Sequence, residues 1–238
     1  MATIAHRALN GGKAVVRTGP HRDLSAPYSS TARFITGDRH WEVAISNRTD
    51  FARDALRSIA QPRAMHFTEE YRIHRGTLRI GIVDQVDDGG TPVGRLCGAA
   101  WEGSSYSLLA HIYNGSPLEL LALLDKFSLT ELPDALLVRP KDAQGVVIDE
   151  EASVTKEIPG IGLIDVVQLT PRRARLLPNW KGTRVRSGEL FVESADSPRR
   201  HFVLVTASAV STIVPDRGAQ LGDVLAELED HLSVEWVA

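Results

Sequence analysis

Residues 190–232, LFVESADSPRRHFVLVTASAVSTIVPDRGAQLGDVLAELEDHL, decide how the whole chain is read. Leu190 and Val192, then Phe202, Leu204 and Thr206, then Val210, Thr212 and Val214 alternate with period two, the mark of half-buried strands. The turn Ala195-Asp196-Ser197-Pro198 separates the first two of these runs. Pro215-Asp216 then opens a helix that carries Leu221, Val224, Leu225, Leu228 and Leu232 on one stripe. Strands, a turn and one helix follow in that order, and the same order is written twice more upstream.

In the earliest copy Ala32, Phe34, Trp41, Val43 and Ile45 alternate around Gly37-Asp38, a hairpin signal. Thr49 or Asp50 caps a short helix with Phe51, Ala55, Leu56 and Ile59 inward, stopped by Pro62. In the middle copy Leu78, Ile80 and Ile82 lead to the turn Asp87-Asp88-Gly89-Gly90, with strands at 93–101 and 106–113. Ser116 is an N-cap, Pro117 takes the first helical position and Glu119 closes a capping box, ahead of the stripe Leu120, Leu121, Leu124 and Phe127. The three helices start near 50, 117 and 217, so there is no fixed repeat period. Strands followed by helices without regular alternation predict an α+β fold, mainly antiparallel sheet with helices on one face. The two Leu-rich helices each want a mate, which predicts two pseudo-symmetric sheet-plus-helix halves. The expected organisation is an extended basic arm at 1–30, a first half at 31–138, a linker or long hairpin at 139–168, and a second half at 169–238.

Composition narrows the function. Apolar residues at 43% and charged residues at 24% describe a globular chain with material for a real core. One cysteine, Cys97, rules out an internal disulfide framework and a cysteine-based zinc site, and it suits a reducing compartment. The opening MATIAHRALNGGK has no apolar core behind a basic flank, and no stretch approaches the ~18 apolar residues of a membrane span. A cytoplasmic location is expected, with no membrane partner. Net charge is −3, so no global field draws the chain to polyanions. Local charge is less even. Residues 1–35 hold Arg7, Lys13, Arg17, Arg22 and Arg33 against Asp23. Residues 171–186 hold Arg172, Arg173, Arg175, Lys181, Arg184 and Arg186 with no acid, and residues 216–238 carry six acids against Arg217. Such asymmetry can favour head-to-tail association or one charged partner, while the plainer reading, a solvated surface, is preferred. The candidate partner-binding residues are Arg7, Lys13, Arg17 and Arg22 on the arm, and Arg172, Arg173, Arg175 and Trp180 in the second basic stretch.

Motifs for chemistry are weak throughout. His66, Glu70 and His74 would share a face of a helix as metal ligands do, but the flanking Phe67, Thr68, Tyr71 and Ile73 favour a strand. Gly103-Ser104-Ser105-Tyr106-Ser107 lacks the second glycine of a nucleophile elbow and sits between strands. Gly89-Gly90 and Gly160-Ile161-Gly162 lead into strands, whereas a phosphate cradle needs a helix N-terminus behind it. Cys97 reads as a small core residue. Cations with Trp180 could bind phosphate and stack a base, yet a single aromatic on an acidic chain sets nucleic acid aside; a basic segment folded against the acidic tail explains it as well. No metal, cofactor or catalytic residue is expected.

Four places resemble the EspG family, the cytosolic chaperones of type VII secretion, over roughly residues 51–232. They are Leu56-Arg-Ser-Ile-Ala-Gln-Pro62 before strands, the Leu-rich helix at 116–127 followed by Leu132-Pro133, Leu169-Thr-Pro-Arg-Arg-Ala-Arg-Leu176 before Gly188-Glu-Leu-Phe-Val192, and Thr212-Ile-Val-Pro215 before the terminal helix. The basic strand-rich arm departs from that family's helical N-terminal region, and no site residue carries over. The resemblance implies a chaperone or adaptor for a secreted helical partner. The expected function is therefore a non-enzymatic protein-binding module that takes another chain or assembles with itself. The alternatives are a structural subunit of a larger assembly, such as a virion or phage-tail component, and a hydrolase with a dispersed site.

Overall fold

The computed structural model describes residues 1–61, 63–87, 89–142, 145–193 and 201–238, with the side chains at 150 and 193 outside the description. Pro62, Asp88 and the expected turn at 195–198 thus lie outside the described residues. In chain order the elements are β1 (Ala2–Arg7), β2 (Lys13–Thr18), β3 (Tyr28–Thr36), β4 (Arg39–Ser46), α1 (Phe51–Ile59), β5 (His66–Ile73), β6 (Gly76–Val86), β7 (Pro92–Glu102) and β8 (Ser107–Tyr113). Next come α2 (Pro117–Asp125), β9 (Phe127–Leu132), β10 (Ala135–Pro140), β11 (Val147–Ile158), β12 (Gly162–Gln168) and α3 (Pro171–Ala174). The last are β13 (Thr183–Val185), β14 (Gly188–Glu193), β15 (His201–Val205), β16 (Ala209–Pro215), α4 (Leu221–Asp230) and β17 (Ser233–Val237). Strand at 54% and helix at 14%, with antiparallel pairing, make this an α+β protein dominated by sheet.

The chain divides into two compact units, residues 29–151 and the discontinuous set 1–28 with 152–238. In the discontinuous unit a large sheet runs β13-β14-β15-β16-β12-β11 and a second sheet runs β1-β2-β17. Residues 1–30, expected as an extended basic arm, form strands: β1 pairs β2 from Ala2↔Thr18 to Arg7↔Lys13, and β17 pairs the other side of β2. The cause is a short alternation, Ala14, Val16 and Thr18, that buries small side chains on one face. The glycines that punctuate this region serve the sheet. Gly11, at φ +102, closes the β1–β2 hairpin, and a Cβ on Gly12 would stand 2.6 Å from the Trp236 ring. Residues 139–168, read as linker or long hairpin, contain the hairpin β11–β12, with Ile158 opposite Gly162.

In the 29–151 unit the sheet runs β3-β4-β8-β7-β6-β5, beside the separate hairpin β9–β10. Neighbours in sequence on β4, β7 and β8 are buried on both sides: Ala44 and Ile45, Ala99 and Ala100, Leu108 and Leu109. Both faces are covered, which is why these strands read as unbroken apolar runs. One face takes α1, whose Leu56 packs with Ala44, Leu96, Ala100 and Leu109. Gly98 lies directly beneath it, where a Cβ would come within 2.4 Å of Leu56 Cδ2. On positions of the other parity, Phe127 meets Phe34 at 4.9 Å and Trp41 at 5.0 Å, both edge-on.

The helix starts are the most local feature, and two ends depart from expectation. The Ser116 box forms as read: its Oγ accepts from Glu119 N–H, and the Glu119 carboxylate accepts from Ser116 N–H at 2.8 Å. These contacts hold the Glu119 carboxyl below the usual carboxylate range. The helix then stops at Asp125, because Phe127 pairs Pro140 to begin the β9–β10 hairpin. Its buried residues are Leu120 and Leu123, not the Leu121 and Leu124 of the expected stripe. At the C-terminal helix, Pro215 closes β16 and Asp216 turns its carboxylate to Gly160 N–H at 2.9 Å. With Asp216 committed to the β11–β12 turn, α4 begins at Leu221. At the first helix Asp50 occupies the N-cap position without a side-chain cap bond.

Two measurements follow. Leu120→Ala should cost about 2–5 kcal/mol in urea unfolding, and half-buried Leu121→Ala about 1 kcal/mol; equal losses would contradict the burial pattern. His74 and Arg75 form the two-residue β5–β6 turn at φ 48 and 60 without a glycine. Asn-Gly suits that turn, so His74→Asn with Arg75→Gly should stabilise the protein by about 1–2 kcal/mol, read as a raised urea midpoint at constant slope.

Candidate functional site

The candidate residues on the N-terminal segment are drawn into the fold. Arg7 Nη1 donates to Gly11 O at 3.3 Å, and Lys13 lies opposite Arg7 in the ladder. Arg17 pairs with Glu235 at 3.2 Å across β2 and β17, a half-exposed ion pair. Arg22 Nε meets Glu227 Oε2 at 3.2 Å. Glu227 also accepts from Gly19 N–H at 2.7 Å, and its residue is 6% exposed. Part of the acidic tail thus answers the first basic run inside one unit. Glu227 was legible as an acid within the α4 stripe beside Val224 and Leu228, spaced for the buried face, though charge counting alone missed it.

The second basic run is arranged differently. Thr170 Oγ accepts from Arg173 N–H at 3.2 Å and starts α3, which is a single turn. Leu169 and Leu177 anchor the segment on the sheet cluster of Val167, Phe191, Val203 and Val210. Between and beyond those anchors the chain faces outward: Leu176 is 70% and Trp180 50% exposed. Arg172, Arg175, Lys181, Arg184 and Arg186 are exposed, and Arg173 is half-buried. Arg186 N–H donates to Glu229 O at 3.2 Å and its Nη1 to Asp230 O at 3.4 Å, a cation on the last carbonyls of α4. Ser187 Oγ adds a bond to Leu232 O at 2.8 Å. So Arg172, Arg173, Arg175 and Trp180 fall together on one surface segment, apart from the ladder that holds Arg7, Lys13 and Arg17.

A buried polar group escaped the sequence reading altogether. Lys156 is 2% exposed and donates to the Ala26 carbonyl. His6, also buried, stacks on Tyr28 with ring centroids 4.1 Å apart, and Tyr28 Oη donates to Arg7 O at 3.3 Å. Burial pushes His6 down to about 4, and the neighbouring Lys156 charge adds to this. Burial likewise lowers Lys156, with Asp23 opposing. The available signal was the alternation Ala152, Val154, Lys156, Ile158, which places the lysine in an apolar row.

The remaining motifs resolve as local structure. His66 and Glu70 lie on β5, with a bulge between Phe67 and Glu69, and His74 turns the hairpin. Among the described residues no group of three His, Cys, Asp or Glu is placed to hold a metal. Gly103-Ser104-Ser105 is the β7–β8 turn, where Glu131 accepts from the Ser104, Ser105 and Tyr106 N–H groups at 3.3, 2.6 and 3.2 Å. Ser107 Oγ donates to Arg48 O at 2.7 Å. Burial pushes the Cys97 thiol up to about 11, as for an inert core residue. No helix among the described residues is long and apolar enough to cross a membrane.

Fold and site together define an antiparallel α+β protein of two sheet-bearing units with a basic surface segment carrying an exposed Leu and Trp. No protein-family model, curated protein or solved structure matches the chain.

Glu227 gives a direct check of the first basic run. Glu227→Ala should cost about 2–4 kcal/mol by leaving the Gly19 N–H and Arg22 without their acceptor. Glu227→Gln, which keeps an acceptor for Gly19, should cost roughly half as much in the same urea unfolding experiment.

Proposed function

We propose that this protein is a non-enzymatic protein-binding module whose contact surface is the basic segment at residues 171–186, and that its partner presents an acidic face. The observation that carries the proposal is the exposure of Leu176 and Trp180 among cations, on a segment pinned to the sheet by Leu169 and Leu177. Large apolar side chains held outward on a fixed base lose little conformational freedom when a partner covers them. Trp and Arg are also the residue types that carry most binding energy at protein interfaces. Arg17 and Arg22 are engaged with Glu235 and Glu227, whereas Arg175 and Lys181 are exposed beside Leu176 and Trp180, where an acidic partner can reach them. A cytosolic chaperone or adaptor for a secreted helical partner, the form implied by the EspG resemblance, is one case of this proposal.

Pseudo-symmetry of the halves belongs to the same proposal. Its support is that α2 and α4 each follow a strand of a large sheet and lead into a strand of a small one. The single helix-bearing face expected from the sequence is set against the two buried faces of the 29–151 unit, and partner binding at 171–186 does not require it.

The test is affinity capture from the native source with wild type and with Arg172→Glu/Arg175→Glu/Trp180→Ala, after both are shown to unfold at the same urea midpoint. The wild type should run as a monomer or dimer by light scattering and retain a defined acidic partner that raised salt weakens. The triple variant should lose that partner by tenfold or more. Retention of the partner by the variant, or polymerisation of the wild type alone, would overturn the proposal, the latter in favour of an assembly subunit.

A further inference from the structure

Strand β1 is the outer strand of its three-stranded sheet and is held along one edge only, by β2. Its inward residues are few: His6 is buried at 8% exposure, Ile4 is half-buried, and Thr3 and Ala5 face solvent. The docking of β1 therefore leans on a histidine. That histidine is poorly prepared to carry a charge. Its Nε2 is buried without a hydrogen-bond partner, and its ring lies flat on Tyr28 at 4.1 Å with 20° between planes. The charged group that acts on it is Lys156 of β11, itself almost wholly buried, with its Nζ on the Ala26 carbonyl. From β2 the residue opposite is Ala14, which offers neither charge nor acceptor. Asp23 is the carboxylate that acts on Lys156, and it is exposed and engaged with Ser25 N–H at 2.8 Å.

We propose that β1 is an acid-released latch: protonation of His6, in a closed site beside Lys156 and Tyr28, detaches residues 1–7 and opens the outer edge of β2. A protonated imidazole needs an acceptor at both ring nitrogens, and Nε2 has none. It would also face the like charge of Lys156 in a site where both side chains are buried from solvent. Release gives up the ladder to β2 and the Tyr28 Oη bond to Arg7 O, but it stays local, because β2 keeps its ladder to β17. The freed edge of β2 then presents unpaired backbone groups, which is where a further strand can add.

The direction with pH follows from His6 being held down to about 4 while docked, against an ordinary 6.5 when released. Above the ordinary value both forms are neutral and docking is at full strength. As pH falls from 6.5 towards 4 the released form takes up a proton that the docked form refuses, so docking weakens throughout that window. Below about 4 both forms are protonated and the effect is complete, a population change of between about two and three orders of magnitude. Hydrogen bonds from Ser25 lower the Asp23 carboxyl, so Asp23 stays ionised through the window and contributes no slope of its own.

The test is amide hydrogen exchange between pH 7 and 4.5, corrected for intrinsic rates, on wild type, His6→Phe and Lys156→Met. In wild type the protection of residues 2–7 should fall by about fifty- to a hundredfold relative to β15 and β16. His6→Phe, which keeps an aromatic ring against Tyr28, should flatten that dependence. If that variant does not fold, Lys156→Met should show a shallower dependence, and an NMR titration of wild-type His6 should have its midpoint near 4. A His6 midpoint near 6.5, a wild-type β1 that loses no more protection than β15 and β16, or a pH dependence unchanged in His6→Phe would each overturn the latch.

Discussion

The ladder between β2 and β17 is the interaction on which the discontinuous unit depends. It joins Lys13–Thr18 to Ser233–Val237, with the whole of 29–151 lying between them in the chain. Bringing such distant segments together carries a large loop-closure cost, and nearby long-range contacts must offset it. Three do so at one end of the ladder: the Arg17–Glu235 pair, the Glu227 carboxylate on Gly19 N–H, and Arg22 on that same carboxylate. Trp236 supplies the apolar share, packed so closely over Gly12 that no side chain fits beneath it. Without the ladder β1 and β2 would be a bare two-stranded hairpin, which is marginal in water.

What could be read from the sequence was what adjacent residues decide among themselves. The capping box at Ser116 and Glu119 is settled within four residues, and so is the helix it starts. The strands around Phe202 and Val210 and the hairpins of the second copy were visible because period-two alternation is local. The end of α2 was not, because it depends on Phe127 finding Phe34 and Trp41 far upstream. The start of α4 was missed for the same kind of reason: Asp216 looks like a cap until Gly160 claims it. Residues 1–30 were misread because their glycines and prolines look like the punctuation of a loose segment. β1 and β2 pair with each other, but β17, which completes their sheet, is written more than two hundred residues away.

The candidate site shows the limit of charge counting. Arg17, Arg22 and Arg175 look alike in the sequence, yet the fold pairs Arg17 with Glu235 and Arg22 with Glu227 and leaves Arg175 exposed on the surface segment. What separates them is topology, since β2 runs beside β17 and leads to Gly19 and Arg22, which Glu227 of α4 holds, whereas α3 stands on a sheet face through Leu169 and Leu177. Leu176 and Leu177 make the same point within one dipeptide. One side chain enters the core and its neighbour faces water, a difference no composition window records.

The discontinuity of the first unit also imposes an order on synthesis. Residues 29–151 hold the ladders that join β3, β4, β8, β7, β6 and β5, and these can form as soon as that stretch leaves the ribosome. β1 and β2 emerge ahead of that stretch but must wait for β17, which is made after it. At translation rates of about 5–20 residues per second that delay is roughly ten to forty seconds. Throughout it the Ala14, Val16 face stays uncovered and the edges of β2 stay open to any extended chain nearby. A nascent molecule of this protein is therefore exposed to mispairing at β1 and β2 until β17 and the carboxylate of Glu227 arrive to close them.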